Sequence, residues 1–311
     1  MDIRAEITNA IIQLIEEGAA NGEDALWDKT IHGMPVNYET KRAYTGINVP
    51  LFWIAASKKG YERNEWLTFK QAKEMGANVK KGAEGVRGVF FKMMPRKDRD
   101  NDTDIVDDNK QGMYPIIKPF WVFNVSDIEN LPEIELPSQE FTPIEKAESV
   151  LTASGAKITW EGTRAFYSPS NDEIFMPNRE RFSTPVNAYA VALHELTHWT
   201  GHNSRLDRDF SDKFGAESYA FEELVAELGS AFMVAHLGLE GARLENHASY
   251  IDSWLNVLKN DKNAVFTASR HANAAYQFLL ERTGMLELSL PNTKPEVEMQ
   301  THVTIRKERL R

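Results

Sequence analysis

A histidine pair four residues apart constrains this chain more than any other feature. The segment AVALHELTHWTGHNSRLD, residues 190–207, contains His194 and His198 with Glu195 between them. On an α-helix, residues four apart lie one turn apart on the same face, so both imidazoles can reach one ion. Glu195 lies about 100° around the helix and faces the open side of that ion. The segment therefore predicts a helix that binds a metal through His194 and His198.

The chemistry expected of such a pair is hydrolytic. Two neutral imidazoles and one further protein ligand can hold Zn²⁺, which leaves a fourth coordination position for water. The ion lowers the pKa of that water to about 7, and a neighbouring carboxylate can take its proton. We therefore predict one Zn²⁺ per chain, with His194 and His198 as ligands and Glu195 as the catalytic base. The chain has no cysteine, which excludes thiolate zinc sites and cysteine nucleophiles.

Two candidates exist for the third ligand. His202 follows Gly201, a residue expected to end the helix, and is therefore out of register with the histidine pair. The next predicted helix, ESYAFEELVAELGSAFMVAHLG, carries Glu223 and Glu227 four apart on one face. This is similar to the gluzincin arrangement, in which one helix acid is a ligand and the next accepts a ligand histidine's ring N–H. We predict Glu223 as ligand and Glu227 as that acceptor, with His202 as the alternative ligand and Glu222 as a solvated charge.

The charge of the chain is unevenly distributed. Its formal net charge is −10, but residues 29–97 contain 14 Lys and Arg against 5 Glu and no Asp, a local charge of +9. The rest of the chain therefore carries −19. Such asymmetry indicates an anionic partner for the first third of the chain, a nucleic acid above all.

Aromatic residues are interleaved with these cations. Cations neutralise phosphates and exposed rings stack on bases, and the two together are typical of single-strand binding. The alternative is that the rings build the core of a small domain. We predict that this region binds single-stranded DNA through Lys41, Arg42, Tyr44, Lys58, Lys59, Trp66, Lys70, Lys80, Lys81 and Arg87.

The 311 residues are enough for two domains. The segment SDIENLPEIELPSQEFT contains two prolines and four glutamates with little periodicity, which is typical of a linker. We predict a basic DNA-binding domain over residues 1–128, a linker over 129–142, a metal-binding domain over 143–290 and a tail over 291–311. Strands are predicted at VRGVFFKMM and PFWVFNV, and three short strands precede four helices in the second domain. Both domains therefore have an α+β fold.

No membrane partner is expected. No apolar run approaches the roughly 18 residues that a membrane-spanning helix needs. The N-terminal segment MDIRAEITNAIIQLIEE has isoleucines at helical spacing and no basic region before a continuous apolar stretch. It predicts an amphipathic helix and not a signal peptide, so we expect a cytoplasmic protein.

Several long motifs resemble one known family. The runs YETKRAYTGIN, WLTFKQAKEMGANVKKGAEG and FWVFNVSDIE resemble the N-terminal single-stranded-DNA-binding domain of ArdC-type antirestriction proteins, which also begins TraC-type plasmid primases. HELTHWTGHNSRLDRDF and YAFEELVAELGSAF are similar to the zincin-like metallopeptidase domain that follows it in that family. The resemblance covers about residues 5–285. It implies a protein of conjugative plasmids or mobile elements that shields incoming DNA from host restriction.

Three functions fit these features. The chain is an antirestriction protein that coats single-stranded DNA, a zinc peptidase that cleaves a protein partner while DNA localises it, or a DNA binder with a purely structural metal. No Walker-type GxxxxGK[ST] motif is present, so ATP hydrolysis is not supported. The residues alone do not choose among the three, and the resemblance favours the first, combined with a metallopeptidase-like site.

Overall fold

The computed structural model describes residues 3–20, 33–95, 113–132, 142–208, 216–239 and 251–285. Its helices are α1 (Ile3–Ala20), α2 (Asn48–Lys59), α3 (Phe69–Glu74), α4 (Pro143–Ala153), α5 (Pro185–Thr200), α6 (Ala216–Leu237), α7 (Ile251–Asn260) and α8 (Ala264–Arg282). Its strands are β1 (Val36–Asn37), β2 (Glu65–Leu67), β3 (Asn78–Val79), β4 (Val86–Pro95), β5 (Met113–Asn124), β6 (Ile128–Glu129), β7 (Lys157–Gly162), β8 (Phe166–Ser168) and β9 (Glu173–Pro177). The predicted tail and most of the predicted linker lie outside the described residues.

The first part of the chain forms a four-stranded sheet in the order β1-β2-β5-β4. Strands β4 and β5 make a long antiparallel ribbon in which Arg87 lies opposite Trp121 and Phe90 lies opposite Lys118. Because side chains alternate between the two faces of a strand, these two pairs lie on opposite faces of the ribbon. The pairing confirms the two strands predicted from VRGVFFKMM and PFWVFNV. The separate antiparallel pair β3-β6 was not predicted.

The run WLTFKQAKEMG predicts a helix of about residues 68–75 with Thr68 as its N-cap and Gly76 after its end, and α3 confirms it. The Thr68 hydroxyl accepts a hydrogen bond from the Gln71 backbone N–H, and the Gln71 side chain accepts one from the Thr68 backbone, which completes a capping box. Gly76, just after the helix, has a φ of +77°, a conformation that glycine adopts without a steric penalty. The cap fixes the direction in which α3 leaves β2, and so the position of Phe69 at its first turn.

The second part of the chain combines a small sheet with a group of helices. The sheet has the order β7-β9-β8, with β7 parallel and β8 antiparallel to β9. Helix α5 packs against this sheet on one side and against α6 and α8 on the other. The predicted α+β class is confirmed for both parts. Within the described residues, no helix combines the length and the apolar character that a membrane crossing requires.

The two parts of the chain share one hydrophobic core. Ile7 and Ile11 of α1 belong to the same buried cluster as residues of α6 and α8. The Trp53 ring of α2 lies 5.9 Å from the Phe232 ring of α6, measured between centroids. The Thr8 hydroxyl donates a 2.8 Å hydrogen bond to the Lys262 carbonyl oxygen next to α8. A fragment ending near residue 128 would therefore expose an apolar face of α1 that the full chain buries.

Helices α5 and α6 approach each other closely at one glycine. A Cβ atom placed on Gly229 would lie 2.5 Å from Cγ2 of Thr197, a distance that real Cβ contacts do not show. One residue later, the Ser230 hydroxyl donates a 3.1 Å hydrogen bond to the Ala190 carbonyl oxygen across the same contact. The missing side chain of Gly229 is therefore what allows the HELTH turn of α5 to lie against the acidic turn of α6.

We predict that Gly229→Ala destabilises the protein. In an exposed helix this change stabilises by about 1 kcal/mol, whereas forcing a methyl group into a packed interface costs about 1 to 3 kcal/mol. The midpoint of urea or thermal unfolding should therefore fall. Adding Thr197→Ser removes the clashing methyl group and should restore part of the loss. A Gly229→Ala protein more stable than the wild type would show that this contact is not tight.

Candidate metal centre

Helix α5 places the two predicted histidines side by side. It begins at Pro185, after Thr184 has capped the helix by accepting a hydrogen bond from the Asn187 backbone N–H. The His194 and His198 rings, one turn apart, have centroids 4.9 Å apart. The predicted helix is therefore confirmed, with both imidazoles on the same face.

Glu223 of α6 meets both imidazoles. Its Oε2 lies 3.5 Å from Nε2 of His194, and its Oε1 lies 3.5 Å from Nε2 of His198. These three residues form a group that could hold a metal ion, with one ligand atom from each lying within 4.8 Å of the others. Zn–N and Zn–O bonds of about 2.0 to 2.2 Å in a tetrahedron separate the ligand atoms by about 3.3 to 3.6 Å. The two 3.5 Å separations, one to each oxygen of Glu223, lie in this range, so the three residues could hold a small divalent cation.

Each imidazole also faces a second carboxylate through its other nitrogen. Nδ1 of His194 lies 3.6 Å from Oε2 of Glu227, and Nδ1 of His198 lies 3.1 Å from Oε1 of Glu222. Such partners fix the tautomer and the ring orientation of a ligand histidine, and they raise its basicity. Glu227 occupies the place that the sequence predicted for it; its role and those of the ligand set stay predictions.

The prediction that Glu222 is a solvated charge is wrong. Glu222 is 6% exposed and accepts hydrogen bonds from the guanidinium of Arg208, which is itself 7% exposed. The two consecutive glutamates in FEEL, residues 221–224, were a usable signal. A site with two ligand histidines has two ring nitrogens that point away from the ion, and each needs a hydrogen-bond acceptor. Helical spacing alone assigned Glu222 to the neighbouring face.

Arg208 also closes the end of α5. After Gly201 the chain turns back, with the Arg208 backbone N–H donating to the Gly201 carbonyl at 2.8 Å. The guanidinium then donates to the Thr197 carbonyl oxygen at 2.7 Å and to the Thr200 hydroxyl at 2.9 Å. A cation at the last carbonyls of a helix is favourable because of their unpaired lone pairs and the helix dipole. Arg208 thus connects the backbone of α5 to the carboxylate that orients His198.

The site concentrates negative charge in the protein interior. The carboxylates of Glu195, Glu222, Glu223 and Glu227 are all less than 9% exposed, with Arg208 as a nearby buried cation. Burying carboxylates is costly unless positive charge accompanies them. A divalent cation bound to two neutral imidazoles supplies the same +2 as two imidazolium groups.

The pKa values reflect this imbalance. Burial alone would lower the pKa of both histidines, but Glu223 and Glu227 raise the pKa of His194 well above its usual value. In the same way, Glu222 and Glu223 raise the pKa of His198 to about 9 against the effect of burial. Burial would raise the pKa of Glu223, but the two histidines hold it far below its ordinary range. The electrostatics of the site therefore favour a bound cation.

Glu195 and His202 lie in different surroundings. Glu195 is 8% exposed on α5, and its charge contributes to the raised pKa of His194. His202 is half-buried in the turn after α5, and its Nδ1 lies 2.8 Å from the Ser204 hydroxyl. It is not part of the His194, His198 and Glu223 group found among the described residues. The alternative of His202 as third ligand receives no support from this geometry.

The predicted DNA-binding residues divide into three groups. Exposed residues with cations suited to phosphate contacts are Lys58, Lys59, Lys70, Lys80 and Lys81. The Lys59 side chain is 30% exposed and pairs with Glu84 at 3.2 Å, and Lys70 lies 3.6 Å from Glu74. Half-buried residues are Lys41, paired with Glu65 at 3.0 Å, Arg87, paired with Glu6 at 2.6 Å, and also Arg42 and Tyr44. The prediction for Trp66 is wrong, because its ring is fully buried and its indole N–H donates to Asn64 at 2.8 Å. A base cannot stack on such a ring.

We predict that two neighbouring substitutions in α6 lower the metal affinity to different degrees. Glu223→Gln removes the anionic ligand and should lower zinc affinity most. Glu222→Gln keeps an acceptor for His198 but loses the charge that Arg208 binds, so affinity should fall by about 10- to 100-fold. Affinity is measured by competition with a chromophoric chelator, together with elemental analysis of the purified protein.

His202→Ala is the matched control and should leave the affinity unchanged. Unfolding curves recorded for each variant separate loss of metal from loss of fold. A larger loss of zinc in His202→Ala than in Glu223→Gln would reassign the third ligand.

Comparison with known proteins matches both parts of the chain. Residues 1–123 match the model of the N-terminal domain of anti-restriction factor ArdC. Residues 145–271 match the model of a zincin-like metallopeptidase. The second match includes the histidine pair and Glu223, so it covers the whole candidate metal centre.

Relatives of different lengths share this region. The uncharacterised protein y4eC of Sinorhizobium fredii is 36% identical over 274 residues, which cover 87% of this chain and 89% of that protein. A DNA primase TraC of Escherichia coli is 35% identical over 288 residues, or 88% of this chain. A second TraC primase of that organism is 39% identical over 259 residues, or 79% of this chain. The chain spans only 27% and 18% of the lengths of these two primases.

Two solved structures of the antirestriction protein ArdC from plasmid R388 are similar at 35% sequence identity. The metal-free structure has a TM-score of 0.75 and the alignment covers 92% of this chain and 99% of ArdC. The Mn(II)-bound structure has a TM-score of 0.70, with coverage of 91% and 98%. Sequence and fold agree over nearly the full length of both proteins, and the chain therefore belongs to the ArdC family, in which an ArdC N-terminal domain precedes a zincin-like metallopeptidase domain.

Proposed function

We propose that the chain is an antirestriction protein of a mobile element that binds single-stranded DNA and carries a zinc hydrolase site of the metallopeptidase type. The observation that carries this proposal is the likeness to ArdC across both domains, which covers 99% of the ArdC chain. The relatives named DNA primase match the same region, which supports contact with DNA. The proposal thus has two components, which are binding of single-stranded DNA and hydrolysis.

The charge of the first part of the chain supports the DNA component. Residues 33–95 contain 11 Lys and Arg against 5 Glu, and five of the predicted phosphate-binding lysines are exposed. Neutralising phosphates releases the counterions condensed on a nucleic acid, so the resulting affinity falls steeply with salt. Binding of this kind reads no base edges and has little sequence preference.

The geometry of the metal centre supports the hydrolytic component. His194, His198 and Glu223 would hold the cation, and two imidazoles with one carboxylate suit zinc in a catalytic site. A zinc ion bound there supplies a Lewis acid and lowers the pKa of a coordinated water. Glu195, the neighbour of His194 in the chain, would serve as the base that accepts a proton from such a water. Glu222 and Glu227 keep the two imidazoles oriented.

We predict that protection of incoming DNA survives Glu195→Gln. The change preserves side-chain volume and leaves His194, His198 and Glu223 in place, so fold, metal content and DNA binding should be retained while water activation is lost. Coating DNA requires no hydrolysis, and a plasmid entering a restricting host should therefore remain protected. The measurement is transformation efficiency with unmodified plasmid, beside a His194→Ala chain that loses the metal.

Loss of protection in Glu195→Gln would favour the second function. A variant that is folded, metal-loaded and DNA-binding but gives no protection would show that the protein acts as a peptidase on a protein partner. The observation that supports this alternative is the buried position of Glu195 next to the histidine pair.

We also predict a strong dependence of DNA binding on salt. The full chain should bind oligo-dT with a logarithmic salt slope of about −0.7 for each phosphate contacted. Lys80→Glu with Lys81→Glu should flatten the slope, because two phosphate contacts are lost. The matched control is Arg181→Glu at an exposed position on the second part of the chain, and it should leave the slope unchanged. Affinity that does not respond to salt would refute the electrostatic component.

A further inference from the structure

One face of the β4-β5 ribbon exposes large aromatic rings. Trp121 is 51% exposed and Phe69, at the start of α3, is 59% exposed. Phe123, two residues after Trp121 on the same face of β5, is half-buried between them. We call Phe69, Phe123 and Trp121 the aromatic strip. Neither Trp121 nor Phe69 was among the residues predicted from the sequence to contact DNA.

The surroundings explain why the middle of this face is open. Near one end of the ribbon, α3 covers Leu67, which packs with Ala72 of that helix. Further along β4, Val89 belongs to the core cluster that includes Ile7 of α1. Along β5, Pro119 pairs with Val89 and Phe123 pairs with Leu67. Trp121, which pairs with Arg87, therefore lies on the same face between these two covered positions. Trp121 therefore lies between α1 and α3 with half of its surface exposed. Phe69 belongs to the first turn of α3, and Phe123 packs partly against the cluster that contains Ala72 of that helix.

The rings are held in place. The Phe69 and Phe123 ring centroids are 6.5 Å apart in an edge-to-face arrangement. A Cβ on Gly85 would lie 3.2 Å from the Phe123 ring, so the ring packs directly against the backbone of this glycine. The Arg87 guanidinium lies 5.0 Å from the Trp121 ring centroid while its Nη1 is 2.6 Å from Glu6 of α1. A preordered ring loses little conformational freedom when a ligand stacks on it.

Four lysines lie close in the chain to residues of the aromatic strip or of the ribbon. Lys70 and Lys73 follow Phe69 on α3, and Lys80 and Lys81 lie in the turn that leads to β4. The Lys80 ammonium group donates a 2.8 Å hydrogen bond to the Ser126 carbonyl oxygen, which holds it near the end of β5. A surface that combines exposed rings with clustered cations is complementary to bases and phosphates together.

We propose that the aromatic strip is the platform on which the bases of single-stranded DNA stack. The proposal rests on the proposed binding of single-stranded DNA and names its site. Positions two apart on a strand lie about 6.8 Å from each other, about twice the 3.4 Å rise per nucleotide of a stacked strand. Phe123 and Trp121 therefore contact bases spread apart along an extended strand, and the flanking lysines contact the phosphates.

The test uses the full chain and a fluorescein-labelled oligo-dT of about 20 nucleotides, longer than the ~4 to 16 nucleotides that one single-strand-binding fold covers. Trp121→Ala and Phe69→Ala should each lower the affinity by about 5- to 150-fold, the range expected for loss of one base-aromatic stack. The salt slope should stay at its wild-type value, because no phosphate contact is removed. Thermal unfolding verifies that each exposed substitution leaves the fold intact.

Two further variants sharpen the test. Phe90→Ala is the matched control, because Phe90 is 55% exposed on the opposite face of the same ribbon, and it should bind as the wild type does. Trp121→Phe keeps a ring and should restore most of the affinity lost in Trp121→Ala. It should also show less quenching of intrinsic tryptophan fluorescence by oligo-dT than we expect for the wild type.

The outcomes separate this proposal from the function on which it rests. A wild-type chain that does not bind oligo-dT overturns the DNA component of the proposed function and the platform with it. Wild-type binding with unchanged affinity in Trp121→Ala and Phe69→Ala overturns the platform alone. A large loss in Phe90→Ala overturns the platform too, because it places the bases on the other face.

Discussion

The close contact between Gly229 and Thr197 is the constraint on which the metal centre depends. His194 and His198 belong to one helix and the three glutamates that meet them belong to another, so the distance between the helices sets every distance between a histidine and a glutamate in the site. Because Gly229 has no side chain, the helices approach until Glu223 lies 3.5 Å from each imidazole. A bulkier interface would leave the histidine pair without its third partner.

The same contact brings four buried carboxylates into a small volume. Such a cluster is unstable without compensating positive charge, and two features provide it. Arg208 returns to the end of α5 and binds Glu222. Two imidazolium groups or a divalent cation would offset two of the three formal negative charges that remain. The carboxylates whose burial costs free energy are therefore the same groups that surround the candidate cation site.

The part of the chain to which we assign DNA binding is less independent of this centre than its composition suggests. Its first helix lies in the same core as α6 and α8, and Trp53 of α2 packs near Phe232 of α6. The surface that we assign to bases is therefore best studied in the full chain, which keeps α1 buried. The shared core also fixes the position of the aromatic strip relative to the metal centre.

Local patterns in the sequence determined the helix that carries the histidine pair, the capped start of α3 and the two strands of the ribbon. They did so because helical and strand periodicity and capping depend on neighbours in the chain. The sequence also placed Glu223 and Glu227 on one helical face. Only the tertiary structure decided that Glu222 is buried against His198 and Arg208, that Trp66 lies in the core and that Trp121 is exposed. Burial depends on which distant segments pack together, and no local pattern contains that information.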